Sequence, residues 1–401
     1  MSAEAAPHFA GPARWLALGG ALATQAIGLG ATFSAFGFML VPIAKDFGAD
    51  PSAVNLGIVA FMPAQAVFGL ALGPLVDRFG PRIAMLCGAL VAALGSALIW
   101  QAQSLLVAGI GFVLLVAPAS GALGALPASK LVADWFPEMR GTALGICGVG
   151  PSIGALAAPF LIATAVEAWG WRGAVLACAI AFAAMIPLVA LSVREAPGSR
   201  AAPQGGAHAP SAAGFLRDRN FWAITVCFGL GFAVMLSLGN AYPAYGSETR
   251  GITGQHVSLL LGASAIVGIA ANLGFGWLAD RFARVPLIWA ALLPLALCAG
   301  ALALTPPVSW LLPLALAIGI TQGLTALWTA TIGDRFEPAV FGSVMGAMGF
   351  CMLPLTMSGI QLPIVVFARS GRFEPAFAVF AGLTVVAAVA IAFLRRKRAS
   401  A

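Results

Sequence analysis

Two short runs hold most of the organised charge in this sequence. Asp77-Arg78-Phe79-Gly80-Pro81-Arg82 and Asp280-Arg281-Phe282-Ala283-Arg284 each set a carboxylate directly before a guanidinium, with a glycine four residues ahead of the acid (Gly73 and Gly276). A carboxylate at the end of an apolar segment can meet the positive N-terminal end of a neighbouring helix. Arg78, Arg82, Arg281 and Arg284 can pair with acids on facing segments. This is the chemistry of helix capping and ion pairing, not of bond making. Asp134, Glu138 and Arg140 form a third polar cluster able to complete the first run's ion-pair network. Exposed pairs contribute only about 0–1 kcal/mol, so such a network needs many small terms or partial burial to matter.

A second set of residues could bind a small molecule. Gln25, Asn240, Tyr242, Asn272, Thr321, Gln322, Thr325 and Trp328 are uncharged polar groups inside apolar stretches. An amide both donates and accepts hydrogen bonds. Residues 321, 325 and 328 recur at helical spacing and predict one stripe facing a polar cavity. Thr24, Asn55, Gln65, Ser237, Tyr245, Ser264 and Thr329 extend the set. Interhelical hydrogen bonding, worth about 0.6 kcal/mol per contact, is the competing explanation for each. Glu248 and His256 are the coupling candidates, because histidine titrates in a useful range; an exposed capping role competes for His256. The six cysteines are isolated in apolar runs with no CxxC, and read as small apolar filler. Neither a metal nor a cofactor is expected, and the phosphate-binding GxxxxGK[ST] pattern is missing.

The elements that must position these groups are membrane helices. Of 401 residues, 61% are hydrophobic and 9% charged, with mean hydropathy +0.97. Soluble domains carry about 25% charged residues, so a cytosolic enzyme, a secreted disulfide scaffold and a disordered tail are excluded. The net charge of +7 is scattered and forms no nucleic-acid footprint. A crossing helix needs about 20 apolar residues. Twelve such segments are predicted, at about 15–43, 52–76, 83–101, 104–127, 142–165, 173–193, 220–244, 257–279, 286–305, 308–330, 341–366 and 375–394. Their continuous apolarity excludes barrel strands. Glycines 141, 145, 148, 150 and 154, with Pro151 and Pro159, predict close packing and a bend in the fifth.

With the N-terminus cytoplasmic, 16 of the 21 Lys and Arg residues fall on the inner side. That asymmetry predicts an even number of spans and both termini inside. Residues 194–219 are rich in Pro, Gly, Ala and Ser and predict a flexible cytoplasmic linker. It separates an N-terminal six-helix bundle (1–193) from a C-terminal one (220–401) that ends in a basic tail. By these boundaries all 14 acids and all 21 bases lie outside the spans. Charged groups within a span usually mark ion or substrate pathways, so recognition here falls to uncharged groups.

The halves echo each other. Asp77 and Asp280 stand 203 residues apart, and Asp134-Trp-Phe-Pro137 is echoed by Asp334-Arg-Phe-Glu-Pro338. Gly73 to Arg82 resembles the loop signature of the Major Facilitator Superfamily, and Gly276 to Arg284 its second copy, with Ala283 in place of the turn glycine. The stretch from Lys130 to Ile146, with Gly170-Trp-Arg172, resembles the bacterial monocarboxylate transporter and oxalate:formate antiporter group. The resemblance implies an all-α membrane protein, its two pseudo-symmetric six-helix bundles enclosing a central cavity lined by the first, seventh and tenth helices. It also implies that the Asp77 cluster latches the halves in an outward-facing state. That group usually carries an arginine four residues before the second signature glycine; this chain has Asn272 there.

The function expected is secondary transport of a small organic solute by alternating access. A monocarboxylate or related organic acid comes first; neutral or amphipathic, drug-like solutes are the alternative. The expected partners are that substrate, a coupling proton and the lipid bilayer, for a monomer in a bacterial inner membrane. No convergent catalytic constellation is found in the spans, so an enzyme is not expected.

Overall fold

The computed structural model describes residues 11–196 and 214–394. Arg200, much of the expected linker and the basic tail from Arg395 to Arg398 lie outside them. In a bilayer every backbone polar group must be satisfied internally, and each of the twelve apolar runs is a helix. They are α1 (12–46), α2 (Pro51–Phe79), α3 (Pro81–Trp100), α4 (Leu105–Trp135), α5 (140–169), α6 (171–192), α7 (Arg219–Thr249), α8 (Gly254–Arg281), α9 (Arg284–Ala303), α10 (Val308–Arg335), α11 (Pro338–Ser370) and α12 (Glu374–Ala392). Helix starts follow local chemistry. Asp50 caps α2 by accepting from Ser52 N at 2.7 Å, with Pro51 in the first position; Asp218 caps α7 by accepting from Asn220 N at 2.8 Å. An even number of crossings puts Pro12 and the end of α12 on one face, here called the terminal face; the other is the far face.

The helices overrun their apolar stretches. At a rise of about 1.5 Å per residue, the 29 residues of α2 exceed what a bilayer core needs. Asp77 and Arg78 therefore sit in the last turn of α2 rather than in a loop, and Asp280 and Arg281 end α8 in the same way. Lys130 and Asp134 belong to the last turns of α4, and Asp334 to α10. The expected placement of these charges in loops is corrected: they are on helix ends.

The internal repeat extends to backbone conformation. Gly48 and Gly251 turn the chain between the first and second helix of each half with φ of 59° and 64°; Gly170 and Gly371 do so between the fifth and sixth with 68° and 67°. The turn after α2 breaks the symmetry. Gly80 has φ 86°, whereas Ala283 sits in extended backbone at φ −61°. Several spans are interrupted: α4 at Leu123–Gly124, α5 between Cys147 and Gly150, α10 at Gln322–Gly323. The α5 break is the bend that its glycines and Pro151 predict.

Each half has its own core. Trp171, Phe182, Met185 and Leu123 are buried in the first; Phe221, Phe228, Tyr242, Phe377 and Phe380 in the second. Exposed apolar side chains such as Leu106, Phe160 and Leu191 are lipid-facing in a membrane. On the far face an arginine ties each half together. Arg172 pairs with Asp46, donates to Ala102 O at 2.9 Å and lies 4.3 Å from the Trp171 ring. Arg250 donates to Tyr245 Oη at 2.9 Å and to Pro306 O at 2.6 Å. Val193 and Ala196 are buried, and the Trp135 indole donates to Arg194 O at 2.7 Å. The first residues of the expected linker thus belong to the N-terminal bundle.

Candidate functional site: a closed gate between two bundles

The bundles meet through α2 against α11 and α5 against α8, with α4–α11 and α5–α10 contacts beside them. Glycine decides how near these helices come. A Cβ on Gly342 would lie 2.7 Å from Gly73 O, and one on Gly276 would lie 2.6 Å from Gly141 O. Gly69 against Gly346, and Gly145 against the Asn272 carbonyl, continue the two seams away from the terminal face. Backbone-to-backbone approach of this kind is how helices associate in lipid without a hydrophobic drive.

Below each seam an acid caps the facing helix. Asp77 Oδ1 accepts from Gly342 N at 2.9 Å; Asp77 Oδ2 accepts from Ser343 N and Ser343 Oγ, both at 2.7 Å. Asp280 Oδ1 accepts from Gly141 N at 2.6 Å; Asp280 Oδ2 accepts from Thr142 N and Thr142 Oγ1, both at 2.7 Å. Each carboxylate thus meets the unsatisfied N–H groups and positive dipole end of a helix in the opposite half. Two further bonds cross the gap. Lys130 Nζ, which donates to Asp77 Oδ1 at 2.8 Å within its own half, reaches across to Pro338 O at 2.7 Å; Arg140 donates to Gly333 O at 2.8 Å.

Several expected gate residues do other work. Arg78 is exposed over Phe79, and Arg281 lies 3.9 Å from the Trp277 ring. Arg82 donates to Ala190 O at 2.8 Å within its own half, and Arg284 pairs with Asp334 at 2.6 Å within the other. The contacts seen for these four arginines lie inside their own bundles, and Gly80 shapes the α2–α3 turn and leaves room for the Glu195 carboxylate beside it. Lys130 and Arg140 are cations that do cross. Lys130, Thr142 and Ser343 were not singled out as gate residues. The signal was available: Gly-Thr and Gly-Ser open α5 and α11 at matching places in the two halves. The missing turn glycine at Ala283 leaves the Asp280 cap intact.

Asp134 completes the cluster, in the turns of α4 that project past its apolar run. Burial pushes its carboxyl up to about 6, against the opposing pull of Lys130 and Arg140; Asp77 and Glu195 add to the rise.

The uncharged candidates divide. Gln25 Nε2 donates to Cys147 O at 3.0 Å and to Cys147 Sγ at 2.9 Å, at the α5 break. Asn272 approaches that break from the other half: a Cβ on Gly148 would lie 3.3 Å from Asn272 Oδ1. The two amides expected from opposite halves therefore flank one break. Gln322 lays its stem on Gly268, one turn from Asn272. Gln322, Thr325 and Trp328 are half-buried, and the Trp328 ring meets Phe232 edge-on at 5.6 Å. Gln65 Nε2 donates to Ser120 Oγ at 2.8 Å, one turn from the Gly69 seam.

Thr321 and Tyr242 leave the set. Thr321 is fully buried and donates to Ile318 O at 2.7 Å. The break at Gln322–Gly323 shifts the helical phase, so the half-buried stripe is 322, 325, 328. Tyr242 is buried in the C-terminal core and donates to Leu311 O at 2.5 Å. Asn240 is exposed and satisfies its own helix through Leu236 O at 2.7 Å. Glu248 and His256 are exposed on the far face, and His256 shares a 2.7 Å hydrogen bond with Thr253. A largely apolar, half-open pocket lies within the N-terminal half, lined by Thr32, Met39, Ser96, Phe112 and Cys178 among others; it holds none of the expected substrate residues.

Two like bundles, joined on one face by matched helix caps, define a membrane transporter rather than an enzyme. Residues 22–359 match the Major Facilitator Superfamily, and the chain belongs to that superfamily. It is 27% identical over 340 residues to the probable nitrate/nitrite transporter NarK2 of Mycobacterium tuberculosis, covering 80% of this chain and 83% of that one. It is also 27% identical over 395 residues to monocarboxylate transporter 11 of Mus musculus, covering 91% and 83%. The fold matches a bacterial homologue of the iron transporter ferroportin, solved in an outward-facing state, with TM-score 0.75 and 14% identity over 95% and 98% of the chains.

Proposed function

We propose that this transporter moves a small organic acid, a monocarboxylate first, by alternating access of its two bundles. The observation that carries the reading is the pair of acid caps, Asp77 on α11 and Asp280 on α5. A gate built from a few charge-assisted bonds and bare glycine seams can part without disturbing either core. The terminal face is taken as cytoplasmic from the positive-inside asymmetry, which makes the closed gate the inner one and the state outward-facing. A bacterial inner membrane, a monomer and cytoplasmic termini complete the reading. Glu248 and His256 are the coupling candidates, being exposed on the far face where a proton would enter.

The anion preference draws support from the relatives, one named for nitrate and nitrite and another for monocarboxylates. With uncharged spans, the anion would be held by Gln25, Asn272, Gln322 and Trp328 and by the helix ends at the α5 and α10 breaks. That same lack of charge favours a second reading, in which the solute is neutral or amphipathic. Counterflow in proteoliposomes tests both. Purified protein loaded with unlabelled glycolate should accelerate uptake of labelled glycolate in a saturable way. Counterflow only with neutral solutes would select the second reading, and a lack of counterflow with any solute class would contradict transport by this mechanism.

A further inference from the structure

On the terminal face, the C-terminal bundle carries a patch of basic and aromatic side chains that touch one another. Gly214–Arg217 forms a tight turn just before α7. Phe215 packs on Phe221 at 5.4 Å, and Phe221 meets Trp222 edge-on at 5.3 Å. The Trp222 indole donates to Leu216 O at 2.8 Å. These contacts hold the turn against the start of α7. Arg219, in the first turn of α7, lies 5.1 Å from the ring of Phe393, the residue that follows α12. The first and last helices of the bundle therefore meet at one arginine–aromatic pair. Leu216, Arg217, Arg219, Trp222 and Phe393 are all exposed. Among the described residues, neither Arg217 nor Arg219 makes a hydrogen bond or an ion pair, so their donors are open. Arg82, Arg140 and Arg284 on the same face each donate to a carbonyl or a carboxylate. Asp218, the acid between the two arginines, is occupied in capping α7. Two residues after Phe393 the sequence continues Arg395-Arg396-Lys397-Arg398.

A guanidinium with free donors matches the oxygens of a phosphate. A soluble anion would gain nothing from the exposed Leu216 and Trp222 beside the charges, whereas an amphiphile uses both. Tryptophan at the end of a crossing helix marks the headgroup level, and about four to eight basic residues next to a span attract anionic lipid. We infer that this patch binds the headgroup of an anionic phospholipid. The phosphate accepts from Arg217 and Arg219, and the upper acyl carbons lie on Leu216 and Trp222. The basic run from Arg395 adds attraction. A headgroup so placed bridges the first and last helices of the C-terminal bundle, whatever solute the protein carries.

Dioleoylphosphatidylglycerol and dioleoylphosphatidylcholine share their chains and differ in headgroup charge, and serve as the probes. Retention of each by the purified full-length protein in detergent is measured by native mass spectrometry. Wild type should hold the anionic lipid at least about tenfold more tightly. Each basic residue near an interface contributes about fivefold, so Arg217→Gln combined with Arg219→Gln should lower the preference at least about fivefold. Arg369→Gln with Arg372→Gln removes the same charge from exposed positions on the far face and should leave the preference unchanged. Equal retention of the two lipids by wild type overturns the inference, as does a smaller loss in the Arg217/Arg219 variant. The same loss in the far-face variant assigns the preference to net charge and overturns it too. Displacement of the lipid by an equimolar amount of inorganic phosphate would make this a site for a free anion, which also contradicts the inference.

Discussion

The caps made by Asp77 and Asp280 have the same geometry and different surroundings. Each carboxylate takes two backbone N–H groups and one hydroxyl from the first turn of a helix in the opposite half. Asp77 is nearly buried, its side chain 9% exposed, and holds Lys130, itself only 10% exposed. Asp280 is exposed, and the nearby cations are engaged elsewhere, Arg281 on Trp277 and Arg284 on Asp334. One latch is dry and paired with a cation; the other is wet and rests on neutral donors. Charge-assisted bonds strengthen away from water and are screened within it. Duplication preserved the cap, and burial decides its strength.

The largest expected effect leaves the electrostatics untouched. Gly73→Val and Gly276→Val each force a side chain into a facing backbone that cannot step aside. Each should disfavour the closed terminal face by at least the ~1–3 kcal/mol of an overpacked core, and by similar amounts. Cross-linking of cysteine pairs placed across each seam reads this. Intact cross-linking in either valine variant would show that the seam is looser than its contacts imply.

The acids should then part company. Asp77→Asn removes charge-assisted bonds worth about 1.5–3 kcal/mol, whereas Asp280→Asn loses about 1 kcal/mol or less, because exposed charges are screened. Transport should fall tenfold or more in the first and only a few fold in the second. Added salt should weaken the gate of Asp77→Asn, which leans on the Asp280 cap, more than that of Asp280→Asn. Equal losses would erase the distinction drawn from burial. Lys130→Met should fall between the two, at about 1–2 kcal/mol, since it unpairs a half-dry carboxylate that keeps its other three bonds.

The last effect, a dependence on pH, moves the gate without removing any of its bonds. Asp134 in the closed gate has its carboxyl raised to about 6 from an ordinary 3.8. Between those values the closed gate holds a proton that a hydrated Asp134 does not, so acid favours closure; the gain is complete below about 4 and lost as pH rises through 6. Lowering the pH from 7 to 5 should tilt the gate toward closed by up to about tenfold. Asp134→Asn should show no such tilt, and the same tilt in that variant would assign it to another group.

Much of this was legible in the sequence because lipid imposes simple rules. Twelve apolar runs became twelve helices, and the repeat that pairs Asp77 with Asp280 became a pair of matching caps. The errors trace to single features. The arginines of the signature runs were given to the gate by sign and position. In the structure Arg82 and Arg284 are satisfied nearer by, through Ala190 O and Asp334. Lys130 was passed over because a lysine beyond a span reads as a topology marker; only the tertiary arrangement brings it to Asp77. The Thr321 stripe assumed an unbroken helix, and Gln322–Gly323 breaks it. Tyr242 shows that polarity alone does not separate a lining residue from a core residue whose hydroxyl has found a carbonyl.

Double electron–electron resonance tests the central claim most directly. Spin labels at Arg78 and Ala339, both exposed at the terminal ends of α2 and α11, report whether that seam is closed. In lipid nanodiscs at pH 7, wild type should give one short, narrow distance distribution. Asp77→Asn should add a second, longer population, and Asp280→Asn should add a smaller one. A distribution that stays short and narrow in Asp77→Asn would contradict the claim that this carboxylate, seated on the first turn of α11, holds the two halves together.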